Sequence, residues 1–434
     1  MALKKSLGLF RLTVYGVGTI IGAGIYSVIA PAAAEAGSAI WLSFALAAVI
    51  SAFSAVSYAE LASALPSAGA EHNFMRQAFP SVPAAAFIVG LFIALHGAAT
   101  LATVALTFGQ YLQRFVAWSP VPVALALMAL VTAVNIAGLR RASSVNVVLT
   151  ILQVSCLVVL VAMAFTADRF AANLGQRMAM PDDIGAVLRG TAIVFFIYTG
   201  YEHMASLSEE AKRPDRDIWK AFLLALAITT AVYLLIIVSA LSLVDAAALA
   251  QSQFPLAEAG AQRAPALGIA IALAALLATA NAVLSASVSG SRLVFGMARS
   301  GDLPPALTRT VTSHQSPWAA ALLVLVIAAA LVAIGELKIV ASLSSLGAVL
   351  VFAAINTAVI VLRYRKPDLP RPFRVPSIGR VPWPSACGVA VSLGLATQYE
   401  GRVYAIFAAG IAIGLMAYLA ARRLGKRGRV ARAA

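Results

Sequence analysis

The stretch GVGTIIGAGIYSVIAP, Gly16 to Pro31, decides how the rest of the chain is interpreted. It is uncharged, and with its flanks it is long enough to cross a bilayer as a helix. Four of its first nine residues are glycine. Because an interior glycine destabilises a helix by about 1 kcal/mol relative to alanine, we interpret this stretch as a membrane span that is interrupted near its middle.

The composition of the chain places most of its side chains in lipid. Hydrophobic residues make up 61% of the 434 residues and charged residues 11%, whereas soluble domains contain about 25% charged residues. This composition indicates a polytopic membrane protein. No small-residue cleavage site follows the first span, so we expect no removable signal peptide. Cys156 and Cys387 each lie in an apolar run, which argues against a disulfide or a cysteine metal site.

Apolar windows of about 20 residues mark the candidate spans. They predict an all-α membrane protein with twelve transmembrane helices, near residues 11–36, 39–65, 83–113, 119–139, 144–167, 184–211, 218–243, 265–299, 316–335, 339–364, 382–399 and 402–421. With a cytoplasmic N-terminus, 25 of the 32 lysines and arginines fall on the cytoplasmic side. The positive-inside rule therefore predicts that both termini are cytoplasmic. The basic residues 422–434 then form a cytoplasmic tail, and the net charge does not indicate nucleic-acid binding.

A second predicted span repeats the interruption. In TAIVFFIYTGYEHMASLSEE, residues 191–210, Gly200 lies in mid-span and the ionisable Glu202 and His203 follow it. An unwound segment at membrane depth has to line a cavity, because only protein or water can satisfy its backbone there. Two glycine-interrupted spans in matching positions of two halves indicate the central site of a secondary transporter.

Unwinding exposes backbone groups of both signs. The amides of residues 23–25 are predicted to be unpaired at the start of a half-helix, whose positive dipole end suits a carboxylate. The carbonyl groups around Thr19, Ile20 and residues 195–197 are then free to accept from an ammonium group. The pattern therefore predicts a zwitterionic ligand. The alternative is that the glycines only allow close packing of helices.

Five stretches in chain order form a recognisable series of motifs: GVGTIIGAGIYSV, YAELASALPSAGAEHNFMRQAFP (58–80), FFIYTGYEHMASLSEEAKRPDRDI (195–218), SRLVFGMARSGDLP (291–304) and LRYRKPDLPRPFRVP (362–376). The series resembles amino acid permeases of the amino acid, polyamine and organocation superfamily, over nearly the whole chain. The resemblance implies the LeuT-like fold, which has two inverted repeats of five helices and two peripheral helices. The repeats would be residues 1–167 (spans 1–5) and 184–364 (spans 6–10), and residues 382–421 would form the peripheral spans 11 and 12.

The two interruptions and the resemblance together give a set of candidate site residues. The predicted substrate-binding residues are Thr19, Ile20, Gly22, Ala23, Gly24, Ile25, Phe195, Phe196, Tyr198, Thr199 and Gly200. The resemblance places Phe196 over the substrate, and Glu202 falls where several relatives carry a glutamate associated with proton movement. Many proton-coupled relatives carry a lysine in the fifth span, and Gln153 stands at that cation site here. Either Glu202 or His96 therefore takes the proton-coupling role, or the protein exchanges substrates without net proton flux.

Polar residues outside the interruptions allow further expectations. Asn281, Ser285 and Ser289 are spaced by four and line one helix face, either as polar contacts between helices or as part of the cavity. Glu60 and Arg292, at the ends of the second and eighth spans, are expected to pair across the inner vestibule.

The leading interpretation is a secondary active transporter that moves a small, neutral α-amino acid by alternating access in a bacterial inner membrane. Its partners would be the amino acid, protons and the lipid bilayer, with no cofactor, metal or nucleic acid, and it would be a monomer or small oligomer. A permease or antiporter of cationic amino acids or amines is the alternative, followed by a nutrient receptor or a channel. An enzyme is not expected, because no catalytic groups converge near a span end. The identity of the amino acid, the coupling ion and the direction of transport stay open at this point.

Overall fold

The computed structural model describes residues 5–22, 24–113, 115–167, 170–178, 183–313, 315–333, 337–397 and 399–433. Most of these residues are helical, and isolated bridges join Leu7 to Ala211 and Ile378 to Val381. A helix satisfies its own backbone hydrogen bonds, which a segment in lipid requires. The prediction of an all-α membrane protein is confirmed in this general form.

The helix bounds follow the predicted apolar windows. The helices are α1 (Leu9–Ile21), α2 (Gly24–Ala36), α3 (Ile40–Ala64), α4 (Ala70–Ala78), α5 (Pro83–Leu112), α6 (Pro120–Ile136), α7 (Leu139–Phe165), α8 (Phe170–Arg177), α9 (Ile184–Phe195), α10 (Glu202–Ala205), α11 (Pro214–Leu243), α12 (Ala246–Gln251), α13 (Pro255–Ala261), α14 (Pro265–Arg299), α15 (Trp318–Val332), α16 (Leu337–Arg365), α17 (Trp383–Ala396) and α18 (Gly401–Ala433). Several of the long helices begin at proline, whose missing N–H costs nothing in the first turn.

Eight segments of the described chain are helical, long and apolar enough to cross a membrane, and α17 with α18 adds a ninth if this pair, bent by 112°, is one span. The helices α6 and α15 are apolar but shorter. The multi-span architecture is therefore observed, whereas the number twelve stays a prediction.

Both glycine-interrupted spans are broken helices, as predicted. The first helix stops at Ile21, and Gly22 leaves the helical region with φ −13° and ψ −153° before α2 begins at Gly24. The second break consists of a 3₁₀ turn, Phe196–Tyr198, and an extended Thr199. It continues with Gly200 at φ +113°, a conformation that glycine adopts far more readily than other residues.

The two breaks face each other in the middle of the bundle. A Cβ atom built on Gly24 would lie 2.7 Å from Cγ2 of Ile197. A Cβ atom on Gly200 would lie 2.7 Å from the carbonyl oxygen of Thr19. Each glycine therefore permits a backbone approach that a larger residue would block, and the breaks form one structural unit.

Buried ion pairs close the end of the bundle at which α3 and α14 finish. Glu60 accepts hydrogen bonds from Nε of Arg363 at 3.1 Å and Nε of Arg371 at 3.0 Å. Arg292 instead donates to Glu210 at 2.6 Å. The expected pair of Glu60 with Arg292 is therefore wrong, because α16 and the linker after it pack against the end of α3, while Arg292 faces the segment that follows α10.

A third carboxylate strengthens the same end. Glu209 accepts two hydrogen bonds from Arg299, at 2.9 and 2.7 Å, and a third from the backbone amide of Ala68 at 3.0 Å. These contacts join the end of α14, the segment after α10 and the loop between α3 and α4.

Candidate functional site

A small cavity lies between the two breaks. It has a volume of about 80 Å³ and is bounded by the α1–α2 break, the segment from Phe196 to His203, α5 and α14. Its walls carry backbone groups, hydroxyl groups and two imidazoles beside a carboxyl group. This mixture of polar groups in a membrane interior is typical of a site for a small polar solute.

Most of the predicted substrate-binding residues meet at this cavity. Those that line it are Thr19, Ile20, Gly22, Gly24, Phe196, Thr199 and Gly200. Three others are buried behind the wall: Ile25, Phe195, which packs edge-on against Phe352, and Tyr198, which packs edge-on against Tyr233. Ala23 lies outside the described residues.

Unbroken helices supply the rest of the wall. Ser285 of α14 and His96 of α5 were among the residues expected from the sequence, whereas the sequence did not reveal Thr100, Thr103, Val104 and Thr107 of α5 or Ala282 of α14. The threonines follow a spacing of three and four residues, so they share one helix face. That stripe is a usable sequence signal, although such a stripe also occurs at ordinary helix contacts.

The start of α2 gives the cavity an electropositive edge. Gly24 is the first residue of α2 and lines the cavity. The first amides of a helix have no acceptor within the helix, and the positive end of the helix dipole lies at the same place. This edge is suited to a carboxylate.

The opposite edge contains the carbonyl ends of α1 and of the 3₁₀ turn. The hydroxyl group of Tyr233, in α11, lies 2.6 Å from the carbonyl oxygen of Ile20 and 3.2 Å from that of Ile197. The buried side chain of Tyr233 therefore contacts a carbonyl group at the interruption of each broken helix. The sequence around Tyr233 is apolar and contains no motif that would predict this role.

The carboxyl group of Glu202 links the second break to α5. Its Oε2 accepts the backbone amide of Gly200 at 2.7 Å, and its Oε1 lies 3.3 Å from Nε2 of His96. Both side chains are about 4% exposed. The two proton-coupling candidates are thus in direct contact at the cavity wall.

The position of one proton in this pair follows from the geometry. Nδ1 of His96 lies 2.7 Å from the backbone carbonyl oxygen of Ser344. A carbonyl oxygen only accepts, so Nδ1 carries a hydrogen. The contact of Nε2 with Glu202 then needs one further proton, either on the carboxyl group or on the imidazole. In both forms the pair has no net charge.

Other ionisable and aromatic groups surround the pair. The ring of His203 lies parallel to that of His96, with centroids 6.4 Å apart, and His203 also lines the cavity. The ring of Tyr58 packs edge-on against that of Tyr201, the residue that precedes Glu202. Glu71, on α4, is 3% exposed, and burial raises its pKa to about 8.

Gln153 does not reach the cavity. It is fully buried in α7, and neither atom of its amide group has a hydrogen-bond partner among the described residues. One turn away, Thr150 accepts from Asn281 at 2.9 Å, and Asn146 donates to Asn281 at 2.8 Å. Asn281 therefore belongs to a polar contact between α7 and α14.

Nothing in the described part of the chain suggests a metal centre. No group of three or more His, Cys, Asp or Glu side chains is placed to hold a metal ion among those residues.

A family model and several known proteins match most of the chain. The family model described as amino acid permease matches residues 7–420. The chain is 30% identical to the branched-chain amino acid permease BcaP of Bacillus subtilis (strain 168), over 88% of this chain and 86% of that protein. It is 26% identical to the methylthioribose transporter of the same organism, over 96% and 93% of the two chains. It is 30% identical to the vacuolar cationic amino acid transporter 4 of Arabidopsis thaliana, over 84% and 64%.

Proposed function

The chain belongs to the amino acid permease family, and we propose that it is a secondary active transporter of small, neutral α-amino acids. The proposal includes twelve spans, with inverted repeats in residues 1–167 and 184–364 and peripheral spans in 382–421. Both termini would be cytoplasmic, in a bacterial inner membrane. The observation that carries the proposal is the cavity enclosed by two helix breaks that touch each other.

The backbone at the breaks supports a zwitterionic substrate. Its carboxylate would bind at the start of α2, near Gly24 and Ile25, where the helix dipole is positive. Its ammonium group would lie at the carbonyl ends of α1 and the 3₁₀ turn, near Thr19. The carbonyl groups of Ile20 and Ile197 share the single hydroxyl hydrogen of Tyr233, so the substrate's ammonium group would supply a further donor to them.

The walls of the cavity favour a small and uncharged side chain. Beyond the backbone groups the substrate would meet Thr103, Val104 and Ala282, which are short. The carboxyl group of Glu202 would be the obvious partner for a second ammonium group, but His96 balances its charge within the neutral pair. A cationic substrate is therefore the weaker candidate.

The contact between Glu202 and His96 offers a route for proton coupling. If the pair lost its proton, the lone pair of Nε2 would face a carboxylate at 3.3 Å, which is repulsive. A movement that separates α5 from the second break removes this constraint and lets the proton leave. The proton would thus be retained in the closed state and released when these helices part.

The closed end of the bundle fits an alternating-access cycle. Ion pairs centred on Glu60, Glu209 and Glu210 hold this end together. We propose that it is the cytoplasmic end and that its ion pairs break when the site opens to the cytoplasm. The two broken helices would rock as a unit during this step.

Uptake into proteoliposomes tests the proposal. Purified protein is reconstituted and assayed with each amino acid, with or without an imposed pH gradient and with vesicles empty or preloaded with substrate. Accumulation driven by the pH gradient indicates proton symport, and uptake that requires preloading indicates exchange. Absence of uptake for every amino acid under all these conditions would refute the proposed function.

Two variants test the site. Gly24→Leu is expected to abolish binding, because even its Cβ would lie 2.7 Å from Ile197. The control is Gly394→Leu, since Gly394 has open space where a Cβ would be added. Glu202→Gln mimics the protonated acid, so it should keep substrate binding and lose pH-driven accumulation. Normal transport by Gly24→Leu would contradict the site assignment, and normal pH-driven accumulation by Glu202→Gln would contradict the coupling route.

A further inference from the structure

A tight hairpin follows α16 and precedes α17. The backbone amide of Ile378 donates to the carbonyl of Val381 at 2.9 Å, and the amide of Val381 donates back at 3.1 Å. Gly379, at φ +60°, makes the reversal possible. The side chains of Ile378 and Val381 are 75% and 41% exposed, with Arg380 between them. Exposed aliphatic residues at the tip of such a short turn require an explanation.

Two anchors fix the depth of this hairpin along the bundle. Before it, the amide of Val375 donates to the carboxylate of Glu60 at 2.7 Å. After it, the hydroxyl of Ser385 lies 2.7 Å from that of Ser57. Both anchors lie in the last two turns of α3, which ends at Ala64. At about 1.5 Å per residue, the hairpin lies within roughly 10 Å of the end of that span, which is the depth of the headgroup region.

The surface around the hairpin is cationic and aromatic. Arg374 and Arg380 are exposed, and neither forms an ion pair with a described residue. Trp383, at the start of α17, is 42% exposed, and Tyr364, near the end of α16, is 50% exposed. Aromatic side chains favour the membrane interface, and arginines near it attract anionic lipid.

We propose that the hairpin surface, defined by Arg374, Ile378, Arg380, Val381 and Trp383, binds the headgroups of anionic phospholipids. Ile378 and Val381 enter the boundary between headgroups and acyl chains, and the two guanidinium groups contact lipid phosphates. The complementary charge and the continuity of the hairpin with α16, which is long and apolar enough to cross a membrane, identify lipid as the occupant. This surface is separate from the transport cavity and does not depend on the proposed function.

A fluorescent label at the hairpin tip tests this binding surface in the full-length protein. Ile378→Cys is introduced together with Cys156→Ser and Cys387→Ser, labelled with bimane and reconstituted in phosphatidylcholine vesicles. Each series of vesicles contains increasing mole fractions of either brominated phosphatidylglycerol or brominated phosphatidylcholine as the quencher. We expect the anionic quencher to act at a mole fraction about 25-fold lower, because each of the two arginines favours it by about fivefold, or about 1 kcal/mol. Arg374→Gln with Arg380→Gln should remove most of that preference.

The control removes two charges elsewhere at the same end of the bundle. Lys5→Gln with Arg309→Gln changes two exposed residues outside the hairpin and should leave the preference unchanged. Equal quenching by both lipids, or no quenching by either, would overturn the proposal, and the second result would place the tip in water or against a protein. Loss of the preference on adding inorganic phosphate, at ionic strength matched with chloride, would show a site for the free ion and would also overturn it.

Discussion

Replacing Tyr233 by phenylalanine removes a hydroxyl group that both broken helices share. The ring keeps its edge-on contacts with Phe44 and Tyr198, so packing is preserved. The carbonyl groups of Ile20 and Ile197, which lie 2.6 and 3.2 Å from the hydroxyl oxygen, lose the one hydrogen-bond donor that they share. An unsatisfied buried polar group costs about 1–3 kcal/mol.

This free-energy cost destabilises the conformation in which the two breaks lie together. The substrate would bind to that conformation. At about 1.4 kcal/mol for each factor of ten, the dissociation constant of the substrate should rise by about 5- to 150-fold. Equilibrium binding of the radiolabelled amino acid identified by the uptake screen measures this change. Size-exclusion chromatography and thermal denaturation establish that the variant is folded.

Tyr26→Phe is the matched control for Tyr233→Phe. Tyr26 lies in α2 and is equally buried, but its hydroxyl group has no hydrogen-bond partner among the described residues. Its substitution should leave the dissociation constant within about twofold, because no hydrogen bond is lost. If Tyr233→Phe bound the substrate as tightly as the wild type, or if both variants weakened binding equally, the shared hydroxyl would not be what holds the breaks together.

Three further changes have defined outcomes. Gly200→Ala should lower uptake at least tenfold without preventing membrane insertion, because φ +113° is strained for alanine and its Cβ would lie 2.7 Å from the Thr19 carbonyl; normal uptake would contradict this. Glu60→Ala should lower stability in detergent by about 3–5 kcal/mol, because two arginines lose their partner; an unchanged melting temperature would contradict it. Because burial raises the pKa of Glu71 to about 8 from 4.5, its contribution to stability is present at low pH and is lost as pH rises through 8. Glu71→Gln should therefore reduce the fall in melting temperature between pH 5 and pH 9. A fall as large as that of the wild type would refute the raised pKa of Glu71.

The glycines explain why the two breaks could be located from the sequence. Gly22 and Gly24 remove side chains where the backbone leaves the helix, and Gly200 adopts a positive φ. These are local properties of the chain, so they show in the sequence around them. The predicted substrate-binding residues that line the cavity all come from these two segments, whereas the proton-coupling candidate His96 comes from α5.

No comparable pattern in the sequence marked the part of the cavity wall that the threonines of α5 supply. Thr103 and Thr107 lie on α5, an unbroken apolar helix, and their side chains gain significance only because that helix packs against the breaks. The error about Glu60 has the same origin. A buried carboxylate needs a cationic partner, and the sequence offers several arginines at span ends without indicating which of them is near.

The sequence by itself determined that this protein lies in a membrane, where its helices run and where two of them break, because hydrophobicity and glycine conformation act over a few neighbouring residues. Only the tertiary structure decided that Glu202 meets His96 across 106 positions of the chain, that Ser344 orients that histidine across 248, and that Tyr233 contacts Ile20 across 213. Such contacts depend on how complete helices pack against one another. A hydrogen bond extends only about 3 Å, so its partners are fixed only when that packing is fixed.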